Sequence, residues 1–185
     1  MQVEFTPLEG CFIIHDTFFG DSRGYFFESF NQKTFQDNLG LKVNFVQDNQ
    51  SCSSKGVLRG LHFQNGEFAQ AKLVRVLSGT VLDVVVDLRK KSETFGQHFA
   101  IELTDQNHKQ LFVPRGFAHG FVVLSEQATF FYKCDNYYNK ASESGIIYND
   151  TTLAIDWKIN PHLIKCSEKD CLLPSFSACV KTLNF

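Results

Sequence analysis

The sequence predicts a mainly β fold, a jelly roll built as a sandwich or barrel with a few short helices. Short runs of β-branched and aromatic residues recur at near-regular spacing, with turn residues between them. Only 31–38 has a persuasive helical pattern, and it ends before Gly40. The 185 residues contain no repeat, low-complexity tract or linker, and this length suits one core. We therefore predict a single domain over 1–185, whose tail at 171–185 has no assigned role.

Two longer stretches predict β-hairpins, in which two β-branched or aromatic runs flank a short turn. The first is KLVRVLSGTVLDVVVDL (72–88), with a Ser-Gly turn at 78–79. The second is HGFVVLSEQATFFYKCD (119–135), which turns near 125–127. Further strands are predicted at 11–15, 24–30, 57–63, 96–101 and 110–113.

Strand alternation predicts which polar side chains share a face with apolar neighbours, because successive residues of a strand point to opposite faces. Lys72, His119 and Tyr132 each lie on the same face as apolar residues two positions away. If these faces are the inner ones, a pocket inside the jelly roll collects all three side chains.

The stretch VLRGLHFQ (57–64) places Arg59 and His62 in a strand that otherwise has a buried pattern. The two are three residues apart and would point to opposite faces, unless a bulge at Gly60 turns both inward. Buried cations require a partner, and phosphate is the anion that an arginine fork binds bidentately. These residues alone leave open a core histidine, an Arg59–carboxylate ion pair, a solvent-reaching Lys72 and a packed Tyr132.

Charge and cysteine usage exclude several classes of function. A formal net charge of −2 gives the chain no global electrostatic reason to bind nucleic acid, so any anion must be held by a local cluster. The N-terminus lacks a signal-peptide pattern, and no apolar run is long enough to span a membrane. Six cysteines without a CxxC pair predict reduced thiols in the cytoplasm.

One motif bears on whether the chain holds a metal ion. The segment PRGFAH (114–119) matches the PxGxxH of the second cupin motif, and cupin jelly rolls often hold a metal. The first cupin motif requires HxH and a glutamate, whereas His62 is followed by Phe63 and Gln64. We therefore expect no metal and no cofactor, and a metal-dependent cupin dioxygenase is the alternative.

Several blocks carry a resemblance to a known family. They are VLRGLHFQ and the segments 19–35, 45–51, 69–97, 111–133 and 148–157. In order and near-spacing, the chain from about residue 10 to about residue 170 resembles the dTDP-4-dehydrorhamnose 3,5-epimerase family. The resemblance implies a metal-free cupin jelly roll that acts on a dTDP-linked 4-keto-6-deoxyhexose in rhamnose synthesis.

The resemblance also implies catalytic roles. His62 would be the base, with a pKa near neutrality suited to proton abstraction. Asp170, in SEKD (167–170), would orient its imidazole. Tyr132 would reprotonate the opposite face of the sugar, and Lys72 would stabilise the enolate.

Substrate-binding residues carry over in the same way. They are Arg23, Glu28, Gln47, Asp48, Asn49, Arg59, His119, Tyr138, Glu143 and Lys169. Arg59 would hold the diphosphate with help from Arg23 and Lys169, and thymine would stack on Tyr138. The resemblance implies a homodimer in which Arg23 and Glu28 reach the neighbouring subunit's pocket. A single-site epimerase, a ketoisomerase and a non-catalytic nucleotide-sugar-binding jelly roll remain alternatives.

Overall fold

The computed structural model describes residues 1–183, and its strands are short and numerous. The strands are β1 (Gln2–Phe5), β2 (Phe12–His15), β3 (Phe19–Asp21), β4 (Gly24–Phe26), β5 (Gln47–Ser54), β6 (Leu58–Gln64), β7 (Lys72–Ser78), β8 (Thr80–Asp87), β9 (His98–Thr104), β10 (Gln110–Val113), β11 (Phe117–Val123), β12 (Gln127–Cys134) and β13 (Glu143–Gly145). The α-helices are α1 (Gln32–Leu39), α2 (Glu168–Cys171) and α3 (Phe176–Cys179). Single 3₁₀ turns lie at Gly66–Phe68, Lys140–Ser142, Pro161–Leu163 and Val180–Thr182.

Two antiparallel sheets pack face to face. Within residues 1–183 the larger sheet has six strands in the order β1-β2-β10-β7-β12-β5, and the smaller has five in the order β13-β6-β11-β8-β9. Strands β3 and β4 form a separate hairpin near the N-terminus. The predicted class, a cupin-type jelly roll with few short helices, is confirmed.

Both predicted hairpins are wrong as strand pairings. Strand β7 pairs with β10 and β12 in the larger sheet, whereas β8 pairs with β11 and β9 in the smaller. Likewise β11 and β12 lie in different sheets. Each short turn is a corner between sheets, and the inward side chains of both strands meet in the core instead of lying side by side. An apolar–turn–apolar pattern is common to a hairpin and to such a corner, so it could not separate them.

The apolar residues form three layers. The central layer fills the space between the sheets with residues such as Val74, Val85 and Phe130. Helix α1 covers the outer face of the larger sheet through Phe35, which is 2% exposed. The third layer lies on the outer face of the smaller sheet and is completed by C-terminal residues such as Leu183. This second covered face explains why β8 is buried along nearly its whole length.

Local signals set the bounds of α1. The side-chain oxygen of Asn31 accepts a hydrogen bond from the backbone N–H of Thr34 at 3.1 Å, which caps the helix. Gly40 ends it in the left-handed conformation, with φ of 65°. The predicted helix at 31–38 is therefore confirmed to within a residue at each end.

One strand prediction needs amendment, and the structure places the C-terminal tail. The predicted strand at 24–30 ends at Phe26, because the chain there leaves the β3–β4 hairpin and leads into α1. The tail at 171–185, which had no assigned role, packs through its residues up to 183 on the outer face of the smaller sheet, where α3 contacts Phe95 through Phe176. The last two residues of that tail lie outside the described part of the chain.

Candidate active site

A cavity of about 590 Å³ opens at one end of the sandwich. Both sheets line it, together with the segment 165–170 that precedes and enters α2. Seven of the predicted site residues line it on the two sheets and in α2: Asn49, Arg59, His62, Lys72, His119, Tyr132 and Asp170. Lys169 lines it as well. Side chains more than 100 residues apart in sequence are thus brought around one space.

A β-bulge brings Arg59 and His62 to the same cavity, as predicted. His62 pairs with His119 of β11, and Arg59 pairs with Phe121, so that three steps along β6 match two along β11. Gly60 and Leu61 therefore lie opposite the single residue Gly120, and φ of Gly60 is +120°. A Cβ on Gly60 would lie 2.6 Å from the Cα of Gly120, so the close approach of β6 and β11 requires a glycine here.

An imidazole–carboxylate pair forms one side of the cavity. The Nε2 of His62 lies 2.7 Å from Oδ1 of Asp170, which is 4% exposed. The backbone N–H of Asp170 is bound by the Ser167 hydroxyl at the start of α2, and Gly60 N–H donates to its Oδ2 at 3.4 Å. Burial lowers the pKa of His62, and the nearby Asp170 charge opposes this shift. A neutral imidazole with a lone pair is the form required of a general base.

The larger sheet contributes a phenol and an ammonium group. The Nζ of Lys72 lies 5.8 Å from the ring centroid of Tyr132, and both residues are partly buried. Burial raises the pKa of Tyr132, an effect that the charge of Arg59 reduces. Burial lowers the pKa of Lys72. His62 is on the smaller sheet, so the imidazole and the phenol belong to opposite walls of the cavity.

Charged and aromatic groups cluster at the rim. Lys169 forms an ion pair with Glu143 at 2.6 Å, and the hydroxyl of Tyr138 donates to the same carboxylate at 2.8 Å. Partial burial alone would raise the pKa of Glu143, but the hydrogen bonds from Lys169 and Tyr138 lower it overall. The rim therefore holds an ionised carboxylate between a cation and a phenol.

The motif at 47–49 is divided between two faces of β5. Asn49 lines the cavity, and Gln47 donates to its side-chain oxygen at 3.0 Å. Asp48 lies on the opposite face, where it forms an ion pair with Lys133 at 3.0 Å. The resemblance implied that all three line the pocket, but of the three only Asn49 does so, and Gln47 reaches it through its hydrogen bond to Asn49. Alternation along the extended strand turns Asp48 outward.

The N-terminal residues Arg23 and Glu28 are also away from this cavity. Arg23 lies in the turn of the exposed β3–β4 hairpin and forms an ion pair with Asp21. Glu28 accepts a hydrogen bond from Asn31 and lines a second hollow, of about 310 Å³, beside α1. A single chain therefore does not bring these two residues to the predicted site.

Two residues missed in the sequence complete the site. Asp83 of β8 lies 2.9 Å from His119 through Oδ2 and Nε2, and it is fully buried. The Ser53 hydroxyl accepts a hydrogen bond from Nε of Arg59 at 3.2 Å. The signal for Asp83 was its inward position in LDVVVD, where a carboxylate interrupts a run of valines. Ser53 had no such signal.

The described residues 1–183 contain no group of three or more histidine, cysteine or acidic side chains arranged to hold a metal ion. None of the helices in that range is long and apolar enough to cross a membrane.

The fold and the cavity together define an isomerase of the cupin jelly-roll class. The family model for dTDP-4-dehydrorhamnose 3,5-epimerase matches residues 5–178. The chain belongs to the dTDP-4-dehydrorhamnose 3,5-epimerase family, as the resemblance in its sequence implied.

Individual relatives and solved structures agree with this membership. The dTDP-4-dehydrorhamnose 3,5-epimerase of Salmonella typhimurium is 53% identical over 169 residues, which cover 91% of this chain and 92% of that protein. The crystal structure of the epimerase from Elizabethkingia anophelis has a TM-score of 0.93 at 57% identity, covering 96% of this chain and 97% of that one. The Legionella pneumophila enzyme, solved in complex with dTDP-4-keto-L-rhamnose, has a TM-score of 0.92 at 44% identity, covering 99% and 94% of the two chains.

Proposed function

We propose that this chain epimerises C3 and C5 of dTDP-4-dehydro-6-deoxyglucose to give dTDP-4-dehydrorhamnose, in rhamnose biosynthesis. The observation that carries the proposal is a single cavity with the His62–Asp170 pair on one wall and Tyr132 on the opposite sheet. The names of the relatives and the ligand of the Legionella pneumophila structure support the substrate class.

The chemistry needs a base on one face of the sugar and an acid on the other. The C4 ketone acidifies the hydrogens on C3 and C5, so loss of either proton gives an enolate, and reprotonation from the opposite face inverts the centre. With Nε2 of His62 donating to Asp170, the lone pair that accepts the proton is on Nδ1. Asp170 would then stabilise the imidazolium that forms.

The larger sheet would supply the acid and the positive charge. Tyr132 would deliver a proton to the face opposite His62. The ammonium group of Lys72 would stabilise negative charge on the C4 oxygen as the enolate develops. His119, which lines the same cavity, would contact the sugar next to Lys72.

The nucleotide would extend toward the rim. Arg59 and Lys169 line the cavity and carry the positive charge that a diphosphate requires. Tyr138 is exposed and hydrogen-bonded to Glu143, so its ring is available for stacking on thymine. Gln47 and Asn49 would contact the substrate from β5, whereas Asp48 would act only through its ion pair with Lys133.

Deuterium wash-in tests the function directly. The chain is incubated with the 4-keto sugar nucleotide in heavy water, and NMR follows exchange at C3 and C5. Exchange and inversion at both carbons is the expected result. Exchange at only one carbon would make the chain a single-site epimerase, and binding without exchange would favour the non-catalytic jelly roll.

We further propose a homodimer in which Arg23 and Glu28 complete the partner's site. The β3–β4 hairpin supports this proposal, because it projects exposed aromatic side chains, with Phe19 64% and Phe26 70% exposed. Exposed aromatic clusters of this kind are typical of interfaces. It also carries Arg23 away from the cavity of its own chain.

Mixed dimers test the shared site. Arg23→Ala and His62→Ala subunits, each with low activity at subsaturating substrate, are refolded together. A mixed dimer would have one intact site, because the His62→Ala subunit supplies Arg23 to the cavity that retains His62. We expect recovery to about a quarter of wild-type activity, since half of the dimers are mixed. The control pairs His62→Ala with Tyr132→Phe, which leaves both sites defective. Equal recovery in the two mixtures, or a monomer in sedimentation analysis, would contradict the shared site.

We also infer a cytoplasmic location. All six cysteines are free thiols in the structure, in keeping with a reducing compartment.

A further inference from the structure

Asp83 is a fully buried carboxylate that the proposed mechanism does not use. It lies on β8 and points into the sandwich, with 0% of its surface exposed. Its Oδ2 is 2.9 Å from Nε2 of His119, but its Oδ1 is buried without any hydrogen-bond partner. An ionised carboxylate in such a place is costly unless opposite charge lies nearby.

The nearby charge is Lys72, which lines the same cavity as His119, the hydrogen-bond partner of Asp83. Burial raises the pKa of Asp83, and the nearby charges of His119 and Lys72 oppose that rise. In return, the charge of Asp83 raises the pKa of Lys72. The other titratable groups that face Lys72 come from several elements: Cys134 and Tyr132 on β12, His62 on β6, and Glu143 on β13. Glu143 is already paired with Lys169 at the rim. Asp83, by contrast, has a buried carboxylate oxygen without a hydrogen-bond partner.

We propose that Asp83 is a positioning residue that keeps Lys72 charged and holds the His119 ring against the reacting sugar. This inference rests on the proposed function, because it assigns the charge of Lys72 to the C4 oxygen. Asp83 touches neither substrate nor reacting atoms. It acts through Lys72 and His119, and its negative charge balances the cation that the enolate needs.

The charge of Asp83 affects the pKa of Lys72 in a definite direction. Burial lowers the pKa of Lys72, whereas negative charge on Cys134, Asp83 or Glu143 raises it. Burial raises the pKa of Cys134 to about 11, so near neutral pH that residue is an uncharged thiol. Removing the Asp83 charge therefore lowers the pKa of Lys72 further. A lysine is protonated below its pKa, so the basic limb of the kcat–pH profile moves to lower pH.

Asp83→Asn is the test, because its side-chain oxygen still accepts the hydrogen bond from His119 while the charge is lost. We expect the basic limb to move down by about one to three pH units, the range for an opposite charge nearby. At pH 8 kcat falls, whereas KM changes less than kcat. Asp83→Ser is a second neutral variant with the same expected shift. Asp83→Glu restores the charge and is expected to return the limb toward its wild-type position.

Several outcomes would overturn the inference. One is a folded neutral variant whose kcat–pH profile keeps its basic limb at the wild-type pH, even if kcat itself is reduced. A merely structural role would lower activity without moving that limb. If neither neutral variant folds, ¹³C NMR of Lys72 in the wild-type protein decides: an ammonium group at pH 7.5 supports the inference, and a neutral amine overturns it. Failure of the proposed function is distinguishable, because wild type itself would then show no exchange at C3 or C5.

Discussion

Replacing His62 by alanine is expected to abolish deuterium exchange at both C3 and C5 and to leave substrate binding nearly intact. A general base contributes about 10²–10⁴-fold to rate, and no other imidazole in the cavity is paired with Asp170. His119 has its own carboxylate partner, Asp83, so it is not free to replace His62 in that pairing. The measurement is kcat for epimerisation together with the NMR exchange rate at each carbon.

The exposed histidine His98 on β9 provides the matched control. His98→Ala changes the same residue type far from the cavity lining and is expected to keep the wild-type rate. A His62→Ala enzyme that retains most of its exchange would rule out the role given to this imidazole. Loss of exchange at one carbon only would instead mean that a different base serves the other carbon.

Tyr132→Phe is expected to separate exchange from inversion. The phenol would deliver the proton to the face opposite His62, so its removal leaves abstraction possible and returns the proton to the original face. Formation of inverted product should fall by about 10²–10⁴-fold, whereas wash-in of deuterium continues. Coupling constants of the ring protons distinguish retained from inverted sugar.

The exposed residue Tyr137 supplies the comparison for this experiment, because it is 65% exposed and lies outside the cavity lining. Tyr137→Phe should epimerise at the wild-type rate. Normal inversion by Tyr132→Phe would show that another group is the acid. Loss of both exchange and inversion would show that Tyr132 acts in the abstraction step.

Much of the site followed from two local rules. Period-two alternation placed Lys72, His119 and Tyr132 on faces shared with apolar residues, and the cavity lining shows that these are the inner faces. Gly60 between two basic residues indicated the bulge, because only a residue without a side chain allows two backbones to approach so closely. Both features depend on a few neighbouring residues, so a single sequence is enough to predict them.

The same rules did not predict the polar strand β5 or the buried carboxylate of Asp83. Strand β5, QDNQSCSS, has no alternation of apolar and polar residues, yet it forms eight consecutive pairs with β12. Its inward side chains line a polar cavity instead of an apolar core, so the usual signal of a strand is absent. Asp83 was missed for a related reason: in a run of valines a carboxylate has no visible partner, and His119 lies 36 residues away in sequence.

By itself the sequence determined the jelly-roll class, the helix α1, which side chains share a strand face and Gly60 as the place for a bulge, because each depends on side-chain direction or backbone freedom within a few residues. The tertiary structure alone decided which sheet each strand joins and which groups meet in the cavity. His62 and Asp170 are 108 residues apart, and their 2.7 Å contact exists only once α2 is held against β6. Pairing of that kind depends on long-range packing, which no local pattern encodes.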